Sequence, residues 1–545
     1  MPLTNLPTRW LIGAALLASF ASVSARAQAT VTVAAQDPVY RDLDRLFGAG
    51  LVKKMIVGMK PYSRREIARI VLEASRSPLG REISPTNRRI IDRLSREYAP
   101  ELRMLAGDTA FGPRFTLDRA AVEALGTNSP NRAIPPDSVG HVEADVNPLL
   151  NNRAGRTYRP GTNVAAELDA SWRLSREVVV RVAPRAIVNA DGGDAFAEAS
   201  IEAASMTFVG HNVQFEAGRQ QFVWGQGMEG GLLGSTSGRP LDMLRLANDT
   251  PYTIPHFAPV RGEVVFIDLG PNQRFPYSNI IAYKLSGNPF FLSRFELSAS
   301  VLSEQGGYGG PHASLIDHLV DIIPPLKYPL HSKNRDQFSN KIAGMDGRLR
   351  IPEWSGLQLY AEAQLDDADP RRWWSTFWQD GGHVDGFSFS HLGAADAWSL
   401  GGEFHHTGLR FYEHQPYTSG IAFNRTLIGD PLGPQGNAGY LRLTRDDGGT
   451  SAFSLDGAIE RRGGNVIGTA VQGVSPHETD FHFVVLETKP MEWRHRVMGT
   501  WEYCPVAKWR ASVQAGYERV HNFDFVYAAN RNNFLASATL ELLPW

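Results

Sequence analysis

Three histidines, His405, His406 and His414, crowd one short stretch together with Glu403 and Glu413. Imidazole nitrogens and carboxylate oxygens hold zinc when three or four of them converge. On a strand, however, Glu403 and His405 share a face while His406 points the other way. Local spacing therefore offers no converging trio, and the cluster reads as polar lumen or loop residues. Gly225-Gln226-Gly227-Met228-Glu229-Gly230 satisfies G-x-G-x-x-G, which cradles a dinucleotide only between a strand and a helix N-terminus. Here it runs into Gly231-Leu232-Leu233-Gly234-Ser235-Thr236-Ser237-Gly238-Arg239-Pro240, where no helix starts well. Asp249, near the expected acidic position, is bracketed by Pro251 and Pro255. No G-x-S-x-G occurs and no nucleophile–base pair is evident. Carboxylates such as Asp366-Asp367 cannot be set on either side of a scissile bond from one sequence. The expectation is no enzyme, no cofactor and no metal.

A different chemistry is offered by Arg371-Arg372-Trp373-Trp374-Ser375-Thr376-Phe377-Trp378. Tryptophans stack on sugar faces, and arginines pair with anionic sugars. The competing reading of Arg371, Arg372, Trp373, Trp374 and Trp378 is an interfacial aromatic girdle or a packed plug.

The elements that would position these residues alternate with a period of two from about Ser138 onward. Val164, Ala166, Leu168, Ala170, Trp172 and Leu174 take one face, and Glu167, Asp169, Ser171 and Arg173 the other. Such eleven-residue alternation fits a tilted membrane strand of about 9–11 residues. The pattern recurs at Phe295–Val301, Leu357–Leu365, Trp509–Tyr517 and Phe534–Leu542. These runs are long for a soluble sandwich and their polar face is charged, which suits a lipid-facing exterior and a watery lumen. A strand edge left open in hydrocarbon would strand its backbone groups, so closure is required. About 400 residues at roughly 22 per strand and connection give on the order of 18 strands. The last strand reaches a terminal aromatic, Trp545, although Leu543 and Pro544 interrupt its alternation. A long connection at Glu304–Lys341 carries Gly306-Gly307-Tyr308-Gly309-Gly310, Pro324-Pro325 and a short helical pattern around Ala313–Val320.

Ahead of the strands, Asp37–Leu105 reads as helices. Leu43, Leu46 and Phe47 have helical spacing, Ser63 and Glu66 form a capping box, and Ser84-Pro85 starts a third helix. Fifteen Lys/Arg face nine Asp/Glu there. That excess fits either a solvated helical unit or a docking element for an anionic or protein partner. Before it, Arg9, the apolar run Trp10–Val23 and the A-x-A sites around Ala25–Ala29 make a signal peptide, too short to span a bilayer. The expected organisation is thus 1–29 signal peptide, 30–137 helical periplasmic region and linker, and 138–545 barrel. Lone Cys504 excludes a disulfide framework. A net charge of -2 gives no reason to propose nucleic acid. Mean hydropathy is -0.25, and no helical span appears.

One segment carries a resemblance. Phe215-Glu216-Ala217-Gly218-Arg219-Gln220-Gln221-Phe222-Val223-Trp224-Gly225-Gln226-Gly227, followed by Arg239-Pro240 and Arg245, resembles the Wzi-like capsule-assembly outer-membrane proteins. There a strand ends in G-R and passes through W-G-x-G and small residues to R-P and an arginine. Gly218, Arg219, Trp224, Gly225, Gly227, Arg239, Pro240 and Arg245 fit those positions. A second similarity lies at Tyr412–Gly420 and Leu427–Gly433. Phe423-Asn424-Arg425 replaces an expected glycine-arginine pair, and Asp430 stands where a histidine is common. Covering about Ser138–Trp545, the resemblance implies an 18-stranded barrel, and the large basic N-terminal region is longer than a minimal family member needs. The expected fold is an all-β transmembrane antiparallel barrel of about 18 strands, preceded by a small α-helical periplasmic region. It also implies that capsular or extracellular polysaccharide is held at the cell surface, with outer-membrane lipid around the wall. Three rivals remain open: a porin or specific channel, an outer-membrane lipase or protease, and a scaffold recruiting a periplasmic partner through residues 37–105.

Overall fold

The computed structural model of the chain describes residues 28–77, 83–108, 112–134, 142–190, 196–255, 258–311, 338–366, 377–378, 380–413, 416–463, 466–475, 478–486, 489–506 and 508–543. Among them, eighteen antiparallel strands close into one barrel. They are β1 (Arg114–Thr127), β2 (Gly161–Arg173), β3 (Val178–Asn189), β4 (Phe196–Gly210), β5 (Val213–Gln220) and β6 (Leu241–Asn248). Then follow β7 (Ala258–Asp268), β8 (Asn279–Gly287), β9 (Phe295–Gln305), β10 (Ser339–Ile351), β11 (Leu357–Asp366) and β12 (Gly381–Leu392). The circuit ends with β13 (Trp398–Thr407), β14 (Gly436–Asp446), β15 (Ser451–Arg462), β16 (Glu492–Val506), β17 (Trp509–His521) and β18 (Asn530–Leu542). Each strand pairs with its neighbours in sequence, and β18 closes on β1 with Leu542 opposite Ala120 and Leu535 opposite Thr127.

The alternation does its expected work. Along β2, Val164, Leu168 and Trp172 are exposed while Asn163, Glu167, Asp169 and Ser171 are buried. The outer wall is apolar and the inner wall polar, the inverse of a soluble fold. Aromatics ring both ends of the apolar band: Trp172, Trp354, Trp501 and Trp509 at one, Trp378, Tyr517 and Phe534 at the other. No helix among the described residues is long and apolar enough to cross a membrane.

The barrel begins earlier than the period change at Ser138 indicates. β1 lies inside the stretch expected to be helical region and linker. Its register shifts between Leu117 and Arg119, a bulge that adds one residue to one strand. Phe115 and Leu117 are thereby out of phase with Ala120, Val122 and Ala124, and the alternation reads as broken.

The two ends differ. Connections 174–177, 211–212, 352–356, 393–397, 447–450 and 507–508 are short, and the barrel's first and last residues, Arg114 and Leu542, lie at that end. The other end carries 128–160, 221–240, 306–338, 408–435 and 463–491. The possible helix at 313–320 lies outside the described residues.

Four helices, α1 (Val39–Gly48), α2 (Arg64–Ser75), α3 (Pro85–Glu97) and α4 (Ala99–Leu105), build a cap with its own core of Leu43, Leu46, Ile67, Ile70, Ile90 and Leu94. Ser63 Oγ accepts from Glu66 N and Ser84 Oγ from Asn87 N, as their N-cap positions predict. The Glu66 carboxylate does not reach back; Arg69 Nε takes it at 2.7 Å. The cap is bonded into the short-connection end. Arg41 meets Glu502 at 2.7 Å, Arg65 meets Asp249 at 2.9 Å, and Arg350 donates to Phe47 O and Val52 O.

Candidate functional site

Hairpin β5–β6 is short, eight residues a strand, and the connection 221–240 between them turns into the lumen instead of rising outward. Its entry needs glycine. Gly218 has φ +125°, and a Cβ there would lie 2.1 Å from Ala204 O. Val223–Trp224 then pairs antiparallel with Met59–Lys60 from the chain between α1 and α2, and Gly225 N donates to Gly58 O at 3.1 Å. The plug from one end and the cap from the other are thus hydrogen-bonded to each other inside the barrel.

The wall supplies carboxylates to the plug's backbone. Glu362 accepts from Leu232 N at 2.8 Å and Gln226 N at 3.3 Å. Glu403 accepts from Met228 N and from Glu229 N, the latter at 3.1 Å. Glu296 accepts from Val57 N at 2.8 Å, Gly58 N at 3.0 Å and Gln226 Nε2 at 3.1 Å, tying cap and plug to one side chain. Gln226 also donates to Asp346, which Lys284 Nζ holds at 2.5 Å, and receives Arg348 on its side-chain and backbone oxygens. Glu229 pairs with Arg442 at 2.5 Å. A loop without regular structure remains in place here because its buried backbone donors are paired.

The motif residues divide by role. Trp224 Nε1 and Arg245 Nη2 both reach Glu263, at 3.1 and 2.7 Å, and all three are buried. Gly225, at φ +144°, and Gly227 leave no room for a Cβ beside Gly231 and Gly230. Arg239 donates to Gly155 O and Thr157 Oγ1, fixing the return of the plug that ends at Pro240. Arg219 faces outward and forms a two-bond pair with Asp242 at 2.8 and 2.7 Å. None of the eight stands on the long-connection rim; apart from the outward Arg219, they shape the plug, hold it or line its entry.

The histidines part as strand alternation requires. His405 lies inside between Glu403 (2.9 Å) and Asp430 (2.6 Å), whereas His406 faces outward against Asn437 Oδ1 and Trp378 O. Asp430 thus anchors the second similar segment to β13. Asn424 and Arg425 both have positive φ, in the turn joining Ala422–Phe423 to Thr426–Leu427. His414 lies outside the described residues. No group of three or more metal-ligating side chains occurs among those described.

Of the expected sugar-stacking group, Arg371, Arg372, Trp373 and Trp374 lie outside the described residues. Trp378 stands exposed at the rim, edge-on to His383 and His406 at 5.1 and 5.0 Å. Sequence reasoning did not single out Glu263, Glu296 or Glu362, or the Met59–Lys60 contact. Glu296 and Glu362 were visible only as the polar phase of their strands and Glu263 not at all; their partners in the plug and the cap left no local signal.

The profile of the family described as "Capsule assembly protein Wzi" matches residues 131–535. No curated protein sequence matches the chain. Among solved structures, Wzi of Escherichia coli is described as an outer membrane protein involved in group 1 capsule assembly and a carbohydrate binding β-barrel. It aligns with TM-score 0.64 at 16% identity, over 94% of this chain and 99% of its own. OccD3 (OpdP) of Pseudomonas aeruginosa gives 0.42 at 10%, over 79% and 93% of the two chains. The channel DcaP of Acinetobacter baumannii gives 0.34 at 10%, over 79% and 97%. Both scores are too low to carry an argument. With the profile spanning most of the barrel and the architecture in agreement, this chain belongs to the Wzi capsule assembly family of outer-membrane β-barrels.

Proposed function

We propose that the protein holds capsular or extracellular polysaccharide at the cell surface as a binder, not a catalyst. Its long connections face outward and its helical cap faces the periplasm, the arrangement usual for outer-membrane barrels. Residues 1–29 are read as the export signal. The observation that carries this reading is the lumen crossed by the 221–240 plug and bonded to β9, β10, β11, β13 and β14. Such a barrel presents a surface rather than an aqueous path. Family membership supports the ligand class.

The test has two arms on the purified full-length barrel in nanodiscs or planar bilayers. Polysaccharide extracted from the source cells binds, and conductance stays near background. Strong ohmic conductance without polysaccharide binding favours the channel instead. Within this reading, Arg371, Arg372, Trp373, Trp374 and Trp378 form part of the external glycan surface. Replacing the three tryptophans by alanine weakens binding, by about 1–3 kcal/mol per stacked ring on the nucleic-acid analogy; unchanged binding removes them from the site.

A second reading keeps the cap as a docking element. Arg88, Arg89, Arg96 and Arg103 are exposed on α3 and α4, a cationic surface for an acidic periplasmic partner of residues 37–105. Charge reversal at Arg88, Arg96 and Arg103 then abolishes crosslinking to that partner while the barrel still folds.

A further inference from the structure

On the sector built from β15 to β18 the outward wall changes character as it rises toward the long-connection end. Its middle levels are apolar, with Leu455, Val513 and Leu540 exposed and alanines between them at Ala515, Ala536 and Ala538. Next comes an aromatic level, where Tyr517 lies against Phe534 with ring centroids 5.3 Å apart. The strands do not stop there. Two further outward levels follow: Ile459, His495, Arg519 and Asn532, then Arg461, Trp493, His521 and Asn530. Their alignment is set by register, His495 opposite Arg519 and Trp493 opposite His521. Arg519 and His521 lie opposite Asn532 and Asn530, and Arg461 opposite Trp493. A level rises about 7 Å along a strand, so both stand just above the aromatic girdle, at the depth of lipid headgroups.

The charge on this ledge is one-signed. The carboxylates of the same strands, Glu460, Glu492 and Glu518, occupy the inward phase and are buried, with Glu492 held by Arg494 at 2.6 Å. No carboxylate holds the outward phase of β15–β18 above Tyr517 and Phe534. Arg519 is exposed and makes no ion pair among the described residues; Arg461 lies over the Trp493 ring at 5.9 Å and makes none either. His521 Nδ1 is 2.8 Å from Asn530 Oδ1, which orders a polar edge beside the two cations.

We propose that this ledge binds the phosphorylated saccharide headgroup of an outer-leaflet glycolipid. The acyl chains of that lipid lie along the apolar lane below it. Guanidinium forks match phosphate oxygens in two parallel bonds, which gives Arg461 and Arg519 the phosphates. Asn530, Asn532 and His521 meet sugar hydroxyls, and Trp493 offers a ring face to a pyranose. The amide and aromatic groups select a glycolipid over a plain anionic phospholipid. This site faces sideways into the membrane. It depends on the long connections pointing outward, not on polysaccharide anchoring.

The experiment reconstitutes the full-length barrel in nanodiscs containing a bis-phosphorylated lipid A-type glycolipid, its dephosphorylated form, or phosphatidylglycerol. Native mass spectrometry then counts retained lipid. The wild type retains the bis-phosphorylated glycolipid at least tenfold over the other two. Arg461→Gln with Arg519→Gln lowers that retention at least tenfold while heat-modifiable gel migration stays that of a folded barrel. Trp493→Ala lowers it severalfold without changing phosphatidylglycerol retention. Equal glycolipid retention by the folded double variant overturns the proposal, as does equal retention of phosphatidylglycerol by the wild type. Loss of binding only to lipid-free surface polysaccharide also overturns it, because the ledge then serves a long glycan.

Discussion

The inner and outer faces of the same eighteen strands make opposite use of one alternation. Inside, charge is dense and matched: Arg181 with Asp169, Lys284 with Asp346, and Arg494 with Glu492 lie at 2.5, 2.5 and 2.6 Å. Inward glutamates also accept the backbone donors of the plug. Outside, the wall is apolar between two aromatic levels, and charge returns at its upper edge and in the outward pair Arg219–Asp242 beside the plug's entry. The outer face is therefore specified by its solvent and the inner face by its partners. Any apolar residue of suitable size serves outward, whereas Glu362 or Glu403 serves inward only because a particular N–H arrives.

The sharpest way to break that contrast is to remove the inner acceptors. Glu362→Ala with Glu403→Ala leaves Gln226, Met228, Glu229 and Leu232 N–H groups without their carboxylates. At about 1.5–3 kcal/mol per charge-assisted bond the plug is released, and bilayer conductance rises well above wild type. Next in size, Val513→Arg on the lipid face costs about 2–4 kcal/mol near the midplane, read as a lowered unfolding midpoint in urea. Its inward neighbour Ser512 lines a cavity of about 260 Å³ with Glu123, Glu541 and Asp37, so Ser512→Lys leaves that midpoint nearly unchanged. A smaller effect separates cap from wall. Arg350→Ala removes donors to Phe47 O and Val52 O and the guanidinium stacked 4.2 Å over the Phe47 ring. Hydrogen exchange in α1 then quickens, by about 1–3 kcal/mol of lost protection, while β2 and β17 keep theirs.

A further expected effect is one of pH. Burial, reinforced by Asp37, pushes the Glu97 carboxyl up to about 7, against about 4.3 when unfolded. Between those values the folded cap binds more protons than the unfolded chain, so its stability falls as pH rises through that window. Glu97→Gln flattens that part of the cap's stability profile, measured by exchange at pH 5 and pH 7.

What was legible follows the same division. The unbroken alternation from Val164 to Leu174 predicted β2 and its apolar outward face, and the count of about 18 strands matches the closed barrel. The bulge after Leu117 hid β1, because one extra residue inverts the phase that sequence reading depends on. Ser63 and Ser84 were legible as caps since their partners lie three residues away. The return bond of Glu66 was not, because Arg69 competes for the carboxylate and wins. No helix follows the G-x-G-x-x-G run. Its glycines bring Gly225 against Gly231 and Gln226 N to Glu362, a contact 136 residues away that no local pattern encodes.

If this barrel keeps polysaccharide on the cell, its removal changes where that polysaccharide is found. The measurement is the partition of surface polysaccharide between washed cells and medium, in cells lacking the protein and in cells complemented with it. Polysaccharide shifts into the medium without the protein and returns to the cells with complementation, total synthesis being unchanged. An unaltered cell-bound fraction in its absence means that the barrel does not hold the polysaccharide.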